Sequence, residues 1–312
     1  MKMDMQRRIL TTICQMYYEQ NLTQQQIANK TGLTRMKISR SLQKAKDMGI
    51  VRIIIDYSGL YLELESEINS KYQLKETIIV DSSMNNDMKN QVASTAAYYL
   101  ESNLTKNSTI AIGWGSTMSR VSNFIQDMSN MKLLFSPIIG GHGKSELDMH
   151  ATTISSNLAK KTGCNSLSLL APALVKSKKE KELLMDDTHI KEVINQTKRA
   201  DYALFSLGSP LVKDSSLSKS GYLSDDGLKQ LKDEGAVCDI VSIAFLNKDG
   251  NICCKNITDR SVGISESDLK NIPLKICIVE GEEKHDAVKV ALKAGYINVL
   301  ITDKDTAKFL VQ

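Results

Sequence analysis

Three segments of the chain combine glycines, hydroxyls and charged side chains at spacings suited to binding a small polar ligand. The first, 113-GWGSTMSRV-121, follows an apolar run with two glycines and then offers Ser116 and Thr117. Glycines let a backbone approach a ligand closely, and the free N–H groups at a helix start favour an anion such as phosphate. The alternative is an ordinary strand-to-helix turn capped by a hydroxyl, and the residues alone leave both interpretations open.

The other two segments offer a cation and a carboxylate. In 281-GEEKHDAV-288, Lys284 lies in the first turn of a predicted helix, where the helix dipole disfavours a cation unless it faces an anion. In 235-GAVCDIVSIAFLNKDG-250, Asp239 lies within an apolar run, where a carboxylate needs partners and sugar hydroxyls would serve. The alternatives are weak surface ion pairs for the lysine and a structural or ion-paired role for the aspartate. Together, the three segments suit a phosphorylated sugar.

The segment 22–51 predicts two short helices joined by a tight turn. Thr23 and Gln26 match a capping box, and Gly32 can adopt the positive φ that ends the first helix. Thr34 can cap the second helix, whose apolar residues recur at i, i+4 and i+7. Such a pair matches a helix-turn-helix, whose second helix enters the DNA major groove. The alternative is a helical hairpin with a solvated basic face.

The polar side of this helix pair carries residue types that can recognise DNA. Arg, Ser and Gln side chains can hydrogen-bond to base edges, while Lys and Arg also neutralise phosphates. Residues 1–56 hold ten lysines and arginines against four acidic residues, a net charge of +6, whereas the remaining 256 residues carry −2. We therefore predict DNA contacts by Thr23, Gln24, Thr34, Arg35, Met36, Lys37, Ser39, Arg40, Gln43 and Lys44.

The elements that must position these residues follow from hydrophobic patterning. From about residue 75 the chain alternates between apolar strand-like runs and helix-patterned segments, which predicts an α/β fold with a mostly parallel sheet. Ligands of such sheets bind beyond the carboxyl ends of the strands. The predicted strands are 77–80, 109–113, 133–139, 167–171, 202–208, 276–280 and 297–302.

The N-terminal part and the domain boundaries are predicted from the same patterns. A first helix has Ile9, Ile13, Met16 and Tyr17 on one face, and a β-branched run at 50–57 predicts a strand that closes a small domain. We therefore divide the chain into a helix-turn-helix domain at 1–56, a linker helix at 57–74 and an effector-binding domain at 75–312.

Composition is that of an ordinary globular protein of about two domains, with 312 residues of which 42% are hydrophobic and 24% charged. No apolar run approaches the roughly 18 residues of a membrane span, and the N-terminus lacks the pattern of a signal peptide. The six cysteines form no C-x-x-C pair, so we expect reduced thiols, a cytoplasmic location, and neither a metal nor a cofactor.

The chain resembles the SorC family of sugar-responsive bacterial transcription regulators, and its LsrR-like members in particular. The resemblance covers nearly the full length, and the motifs follow the family's order. They are YYEQNLTQQQIANKTGLTRMKISRSLQKAKDMGIV, AIGWGST, LLAPALV, SGYLS, GAVCDI, GISESDLKNIP, VEGEEKHDAV and AGYINVLITDKDTA.

The resemblance implies a Rossmann-like sugar-phosphate-binding domain of the isomerase and deaminase type, joined to the helix-turn-helix. It further implies a repressor that binds operator DNA as a homodimer or homotetramer and responds to a phosphorylated sugar such as phospho-autoinducer-2. Ligand contacts fall on Asp239, Lys284 and the loop 113–117. The predicted effector-binding residues are Gly113, Trp114, Gly115, Ser116, Thr117, Gly141, Gly208, Asp239, Gly281 and Lys284.

This sequence departs from the family pattern at three positions. Ser116 stands where many members have Arg, and Cys238 and Glu280 stand where Gly is usual. These differences affect the identity of the ligand more than the fold.

A competing interpretation is an enzyme that acts on sugar phosphates, as an isomerase or deaminase would. Such chemistry needs a positioned general base, yet the four histidines form no recognisable acid–base constellation. The best candidate is His142, which follows a predicted strand; the others are His150, His189 and His285. Because an enzyme has little use for a basic helix-turn-helix, we expect a regulator and not an enzyme. A third interpretation, a DNA-binding module with a merely structural second domain, predicts no stabilisation by any metabolite.

Overall fold

The computed structural model describes most of the chain, and its contacts divide the protein into two compact units, Met1–Ser58 and Gly59–Gln312. The strand predicted at 50–57 falls, from residue 52 onward, outside the described residues. The described residues are 2–51, 60–81, 87–143, 146–212, 215–221 and 223–312.

Residues 2–51 of the N-terminal unit form three α-helices, with a π-helical turn, Gln15–Glu19, directly after the first. Leu10 and Ile13 pack with the apolar stripe of the third helix, whereas Ile9 is 48% exposed, so its predicted place on the buried face is wrong. The buried face of α1 is centred on Leu10, and Ile9, about 100° away around the helix axis, lies at its solvent-facing margin. The helices are α1 (Lys2–Cys14), α2 (Gln24–Thr31) and α3 (Arg35–Asp47).

The predicted helix boundaries in this unit are confirmed at the level of individual caps. The N–H of Gln26 donates to the Thr23 hydroxyl, and the Thr23 N–H donates to Gln26 Oε1 at 2.9 Å. Gly32 ends α2 with a φ of 70°, and the Thr34 hydroxyl accepts from the Lys37 N–H. Each satisfied cap stabilises its helix by about 1 kcal/mol.

In the part of the second unit that the structure describes, eleven strands form two sheets. Seven strands form a parallel sheet in the order β1-β11-β10-β5-β2-β3-β4, and four form an antiparallel sheet in the order β6-β7-β8-β9. The strands are β1 (Glu76–Val80), β2 (Thr109–Ile112), β3 (Leu134–Pro137), β4 (Asn165–Ser166), β5 (Tyr202–Phe205), β6 (Leu207–Gly208), β7 (Ala236–Ile240), β8 (Ala244–Asn247), β9 (Ile252–Cys253), β10 (Leu274–Val279) and β11 (Val299–Asp303).

The strand order reverses between β2 and β5, which makes this the topological switch point of the parallel sheet. From β2 the chain moves outward to β4 at one edge, and from β5 it moves outward through β10 and β11 on the other side. The sequence therefore correctly predicted a mostly parallel sheet, although it did not reveal the antiparallel sheet. A ligand site is expected beside the carboxyl ends of β2 and β5.

Helices cover both faces of the parallel sheet, so its central strands are buried on both sides. Along β2, Ile110 and Ile112 enter one core cluster while Ala111 enters the other, as the two-residue period of a strand requires. The helices are α4 (Leu62–Tyr72), α5 (Met88–Asn103), α6 (Ser116–Phe124), α7 (Ala151–Thr162), α8 (Lys178–Met185), α9 (Thr188–Lys198), α10 (Ser216–Lys219), α11 (Asp225–Asp233), α12 (Lys255–Thr258), α13 (Glu266–Asn271), α14 (His285–Lys293) and α15 (Lys304–Val311).

Two predicted strands differ from the structure. The run 202–208 is split at Ser206, so that β5 belongs to the parallel sheet and β6 to the antiparallel one. The run 167–171 is not a strand, because the ladder between β3 and β4 ends at the pair Phe135 and Ser166. Leu170 is accordingly 74% exposed.

Helix α4 is anchored within the second unit. Its Lys71 and Tyr72 side chains donate to the carbonyl of Leu310, and Glu65 accepts from the N–H of Ile79. It therefore packs on both α15 and β1. Within the described residues, no helix combines the length and the apolarity that crossing a membrane would need.

Candidate functional site

The turn between β2 and α6 forms a cradle of backbone N–H groups. Gly115, with a φ of 114°, caps α6, and the first backbone bond of the helix runs from the Ser119 N–H to the Gly115 carbonyl. The preceding amides of the first turn therefore have no intrahelical acceptor and face the start of the helix. A positive φ of this size suits glycine alone, which explains the residue type at this position.

A cavity of about 450 Å³ opens above the carboxyl ends of β2, β5 and β10, beside this cradle. It lies at the switch point of the sheet, and the antiparallel sheet forms one of its walls. Seven of the ten residues predicted to bind an effector line it: Trp114, Gly115, Ser116, Thr117, Gly208, Asp239 and Lys284. Three segments that are far apart in sequence thus meet around one space.

The other three predicted residues, all glycines, do not line the cavity. A Cβ on Gly113 would lie 2.7 Å from Val241 Cγ1 and 2.9 Å from Phe205 Cβ, so this glycine permits close packing beneath the cradle. Gly141 lies against the His150 ring, and Gly281 is tied by its N–H to Asp303 Oδ2 at 2.9 Å. These glycines shape the surroundings of the cavity and do not form its surface.

Asp239 lies on β7 and is only 3% exposed. Its Oδ1 accepts from the Ser242 N–H at 2.6 Å, and its Oδ2 accepts from the Ser242 hydroxyl at 3.4 Å. Burial raises the pKa of this carboxyl to about 7, and the hydrogen bonds from Ser242 oppose that rise without cancelling it. The raised pKa favours the neutral form of the carboxyl, which can donate to a hydroxyl as well as accept from one.

The turn that holds Asp239 is conformationally unusual. Val241 and Ser242 both adopt positive φ, at 46° and 61°. A β-branched residue is rare in this region, so the surrounding structure must enforce the conformation. The consequence is that Ser242 folds back onto the carboxylate and fixes its orientation toward the cavity.

Thirteen of the twenty cavity residues were not among the predicted contacts, and the charged ones among them are Lys89, Arg120, Glu280 and Glu283. Arg120 and Glu280 form an ion pair at 3.6 Å, and the remaining unpredicted polar lining comes from Lys89, Glu283 and several serines. Arg120 lies one helical turn after Ser116 in 113-GWGSTMSRV-121. This i+4 spacing puts both residues on one face of the helix and could have predicted that Arg120 lines the cavity. The Glu280 pairing joins residues far apart in the chain and had no local signal.

Among the described residues, no histidine lines the cavity. His142 is fully buried, stacks on the Trp114 ring with centroids 3.7 Å apart, and approaches the Ser242 hydroxyl through Nε2 at 3.2 Å. Burial, with a smaller contribution from His150, lowers the pKa of His142 to about 3. A histidine that stays neutral and lies behind the cavity wall supports the pocket and is poorly placed for acid–base chemistry.

In the N-terminal unit, α3 presents a basic, solvent-facing side. Ile38, Leu42 and Ala45 are buried against the other helices. All the residues of α3 that were predicted to contact DNA are exposed: Arg35, Met36, Lys37, Ser39, Arg40, Gln43 and Lys44.

The two predicted threonines differ from the rest because both hydroxyls already cap helices. Thr23 and Gln24 share a surface groove with Arg35 and Tyr17 at the start of α2. This groove is suited to a phosphate of the DNA backbone, whereas the exposed side of α3 offers the groups that could reach base edges.

Comparison with known proteins covers both units. A family model described as "Putative sugar-binding domain" matches residues 58–312, and a winged helix-turn-helix DNA-binding model matches residues 4–52. The sorbitol operon regulator of Klebsiella pneumoniae is 30% identical over 312 residues, which is 98% of each chain. The transcriptional regulator LsrR of Escherichia coli is 30% identical over 303 residues, covering 95% of this chain and 92% of that protein.

A solved structure agrees with these matches. The full-length sorbitol operon regulator SorC from Klebsiella pneumoniae has a TM-score of 0.76 at 29% identity, covering 98% of this chain and 99% of that chain. These relatives are named transcriptional regulators and share the DNA-binding domain, so the protein is a regulator and not an enzyme. By sequence along nearly its whole length, the chain belongs to the SorC family of sugar-responsive transcriptional regulators.

Proposed function

We propose that this protein is a repressor whose binding to operator DNA is controlled by a phosphorylated sugar or a sugar-like metabolite such as phospho-autoinducer-2. The observation that carries the proposal is the cavity at the switch point, which gathers an anion cradle, a lysine and a buried carboxylate. Each of these groups matches one part of a phosphorylated sugar.

In the proposed complex the phosphate lies on the amides at Ser116 and Thr117. Lys284, which also lines the cavity, complements the phosphate or a sugar oxygen. Asp239 binds hydroxyls of the sugar body, and hydrogen bonds to an ionised carboxylate are the stronger kind. The sugar ring or chain thereby spans from the parallel sheet to the antiparallel sheet.

The DNA is bound by the N-terminal unit, with α3 in the major groove. One such helix covers only a half-site, so we propose a homodimer or homotetramer that binds a partly palindromic operator. Ligand can change operator affinity only if it binds two conformations of the assembly unequally. Residues 57–74, which include α4, are the proposed link through which that difference reaches the DNA-binding domain.

The effector site is tested by changing its two charged contacts separately. Asp239→Ala and Lys284→Ala should each leave operator binding intact and abolish the effect of ligand on it, because each removes a ligand contact that the DNA surface does not use. Fluorescence anisotropy with a DNA fragment selected by the parent from a random pool, and a panel of phosphorylated sugars, measures both quantities.

Lys293→Ala is the matched control. Lys293 is the last residue of α14, the helix that begins directly after Lys284, and it is exposed and does not line the cavity. If both cavity variants respond to the panel like the parent, the effector binds elsewhere.

The DNA interface is tested by removing two cations from α3. Arg35→Ala/Arg40→Ala should weaken operator binding about tenfold or more, since one good bidentate base contact contributes about 1–3 kcal/mol. Affinity of the parent should also fall steeply with salt, because bound counterions are released from DNA. Lys178→Ala/Lys179→Ala removes the same charge from an exposed helix of the other unit and should leave binding unchanged. Equal affinities for the two double variants would contradict the proposed interface.

A further inference from the structure

Glu280 is an acidic residue placed inside the proposed anion site. It follows β10 directly, its side chain is 5% exposed, and it lines the cavity. Its carboxylate accepts from the Thr117 hydroxyl at 3.2 Å and pairs with Arg120 Nη1 at 3.6 Å. Both partners belong to α6, the helix whose first turn forms the cradle.

Thr117 and Arg120 are the side chains of α6 best suited to an anion. Thr117 lies in the first turn beside the free amides, and Arg120 follows one turn later, with both facing the cavity. In the structure they are already engaged by a carboxylate of the protein itself. An anionic ligand that reaches the cradle therefore meets a negative charge that holds the same donors.

Glu280 has little freedom to move away. The next residue, Gly281, donates its N–H to Asp303 Oδ2, and that carboxylate also accepts from Thr306 at 2.7 Å. The backbone after Glu280 is thus fixed to β11 and α15, so only the glutamate side chain can rearrange. A buried carboxylate that loses its cationic partner is left with an unfavourable, uncompensated charge.

We propose that Glu280 is a specificity-determining residue that acts as an internal competitor of the ligand's anionic group for Arg120 and Thr117. It lowers the affinity of the pocket for phosphate as such, and a ligand must offset the displacement with further contacts to the sugar body. The proposal rests on the placement of phosphate at the α6 cradle. Its consequence is selection for ligands that fill the whole cavity over simple phosphates.

The test compares Glu280→Gln with the parent in the full-length protein. Glutamine keeps an oxygen that can accept from Thr117 but removes the charge that holds Arg120. Binding of inorganic phosphate, ribose 5-phosphate and ribose is measured by isothermal titration calorimetry. Glu280→Gln should bind the two anions about tenfold or more tightly than the parent does, because a charged neighbour within a few ångströms shifts an ionic equilibrium by about that much. Ribose, which has no anion, should bind no better than to the parent.

Glu283→Gln is the matched control. Glu283 also lines the cavity but is exposed, so solvent screens its charge. Its replacement should therefore raise the affinity for the two anions very little. Glu280→Asp is the second variant if glutamine impairs folding, since the shorter side chain withdraws from Arg120 and should give a smaller gain of the same sign. A merely structural role would change the affinities for ribose 5-phosphate and for ribose alike, so a change in the ratio of these two affinities identifies the proposed role.

The possible outcomes separate the two proposals. If the parent binds ribose 5-phosphate or another phosphorylated sugar and Glu280→Gln binds it no better, the effector proposal stands and the role of Glu280 is wrong. If only Glu280→Gln binds phosphorylated ligands, Glu280 excludes anions as inferred, and the natural effector is not phosphorylated. An equal gain in Glu283→Gln, a loss of phosphate affinity in Glu280→Gln, or no binding by either protein overturns the inference.

Discussion

Asp239→Asn is expected to remove a pH dependence of stability amounting to roughly 4 kcal/mol, since one pKa unit corresponds to about 1.4 kcal/mol. In the folded protein burial raises the pKa of this carboxyl to about 7 from an ordinary value of 3.8. Below the ordinary value the group is protonated in both states. Between the two values the unfolded chain releases a proton that the folded protein retains, so the free energy of unfolding falls as pH rises from about 4 to about 7 and then levels off.

The measurement is urea unfolding of parent and variant at several pH values across this window. Trp114 is the sole tryptophan and lies in the cavity wall, so its fluorescence reports on the unit that contains Asp239. The difference in stability between the two proteins should change steadily up to about pH 7. Asp233→Asn, at an exposed aspartate of α11, controls for the loss of one negative charge. Parallel pH profiles for parent and Asp239→Asn would show that burial does not perturb this group.

Phe205→Ala is expected to destabilise the second unit by about 3–5 kcal/mol, the usual range for removing a buried phenylalanine. Phe205 is fully buried at the carboxyl end of β5, and its Cβ would be 2.9 Å from a Cβ on Gly113. Truncation would therefore leave a void directly beneath the cradle, where the ends of β2 and β5 pack backbone to backbone. Ligand affinity should fall with stability, because the loop above the void loses its support.

Chemical denaturation and ligand titration of the same preparations test this expectation. Tyr98→Ala is the control, because Tyr98 is 72% exposed and its removal should change stability by no more than about 0.5 kcal/mol. A Phe205→Ala protein as stable as the Tyr98→Ala protein would mean that the cradle does not depend on packing at the strand ends.

Local patterns in the sequence predicted what depends on local structure. The capping box of Thr23, the φ of Gly32 and the turn from β2 into α6 are each decided within a few residues, and the structure agrees. The central parallel strands were recognisable because burial on both faces leaves continuous apolar runs.

The features that the sequence did not reveal depend on pairing between distant segments. The antiparallel sheet consists of strands as short as two residues, so it gives almost no periodic signal. The hydrogen bond from Thr117 to Glu280 spans 163 residues, and no spacing rule connects them. The end of β4 is likewise set by its neighbour β3 and not by the apolar residues that follow Ser166.

One chain segment passes from the large sheet into the small one with only Ser206 between β5 and β6. The proposed anion cradle follows β2 of the large sheet, whereas Asp239 and Gly208 lie on strands of the small sheet. The two halves of the pocket can therefore diverge separately during evolution. Substitutions in the small sheet can change which sugar body is accepted while the anion site and the central strands stay intact. We therefore expect related regulators with different effectors to differ in the cavity residues of β6 and β7.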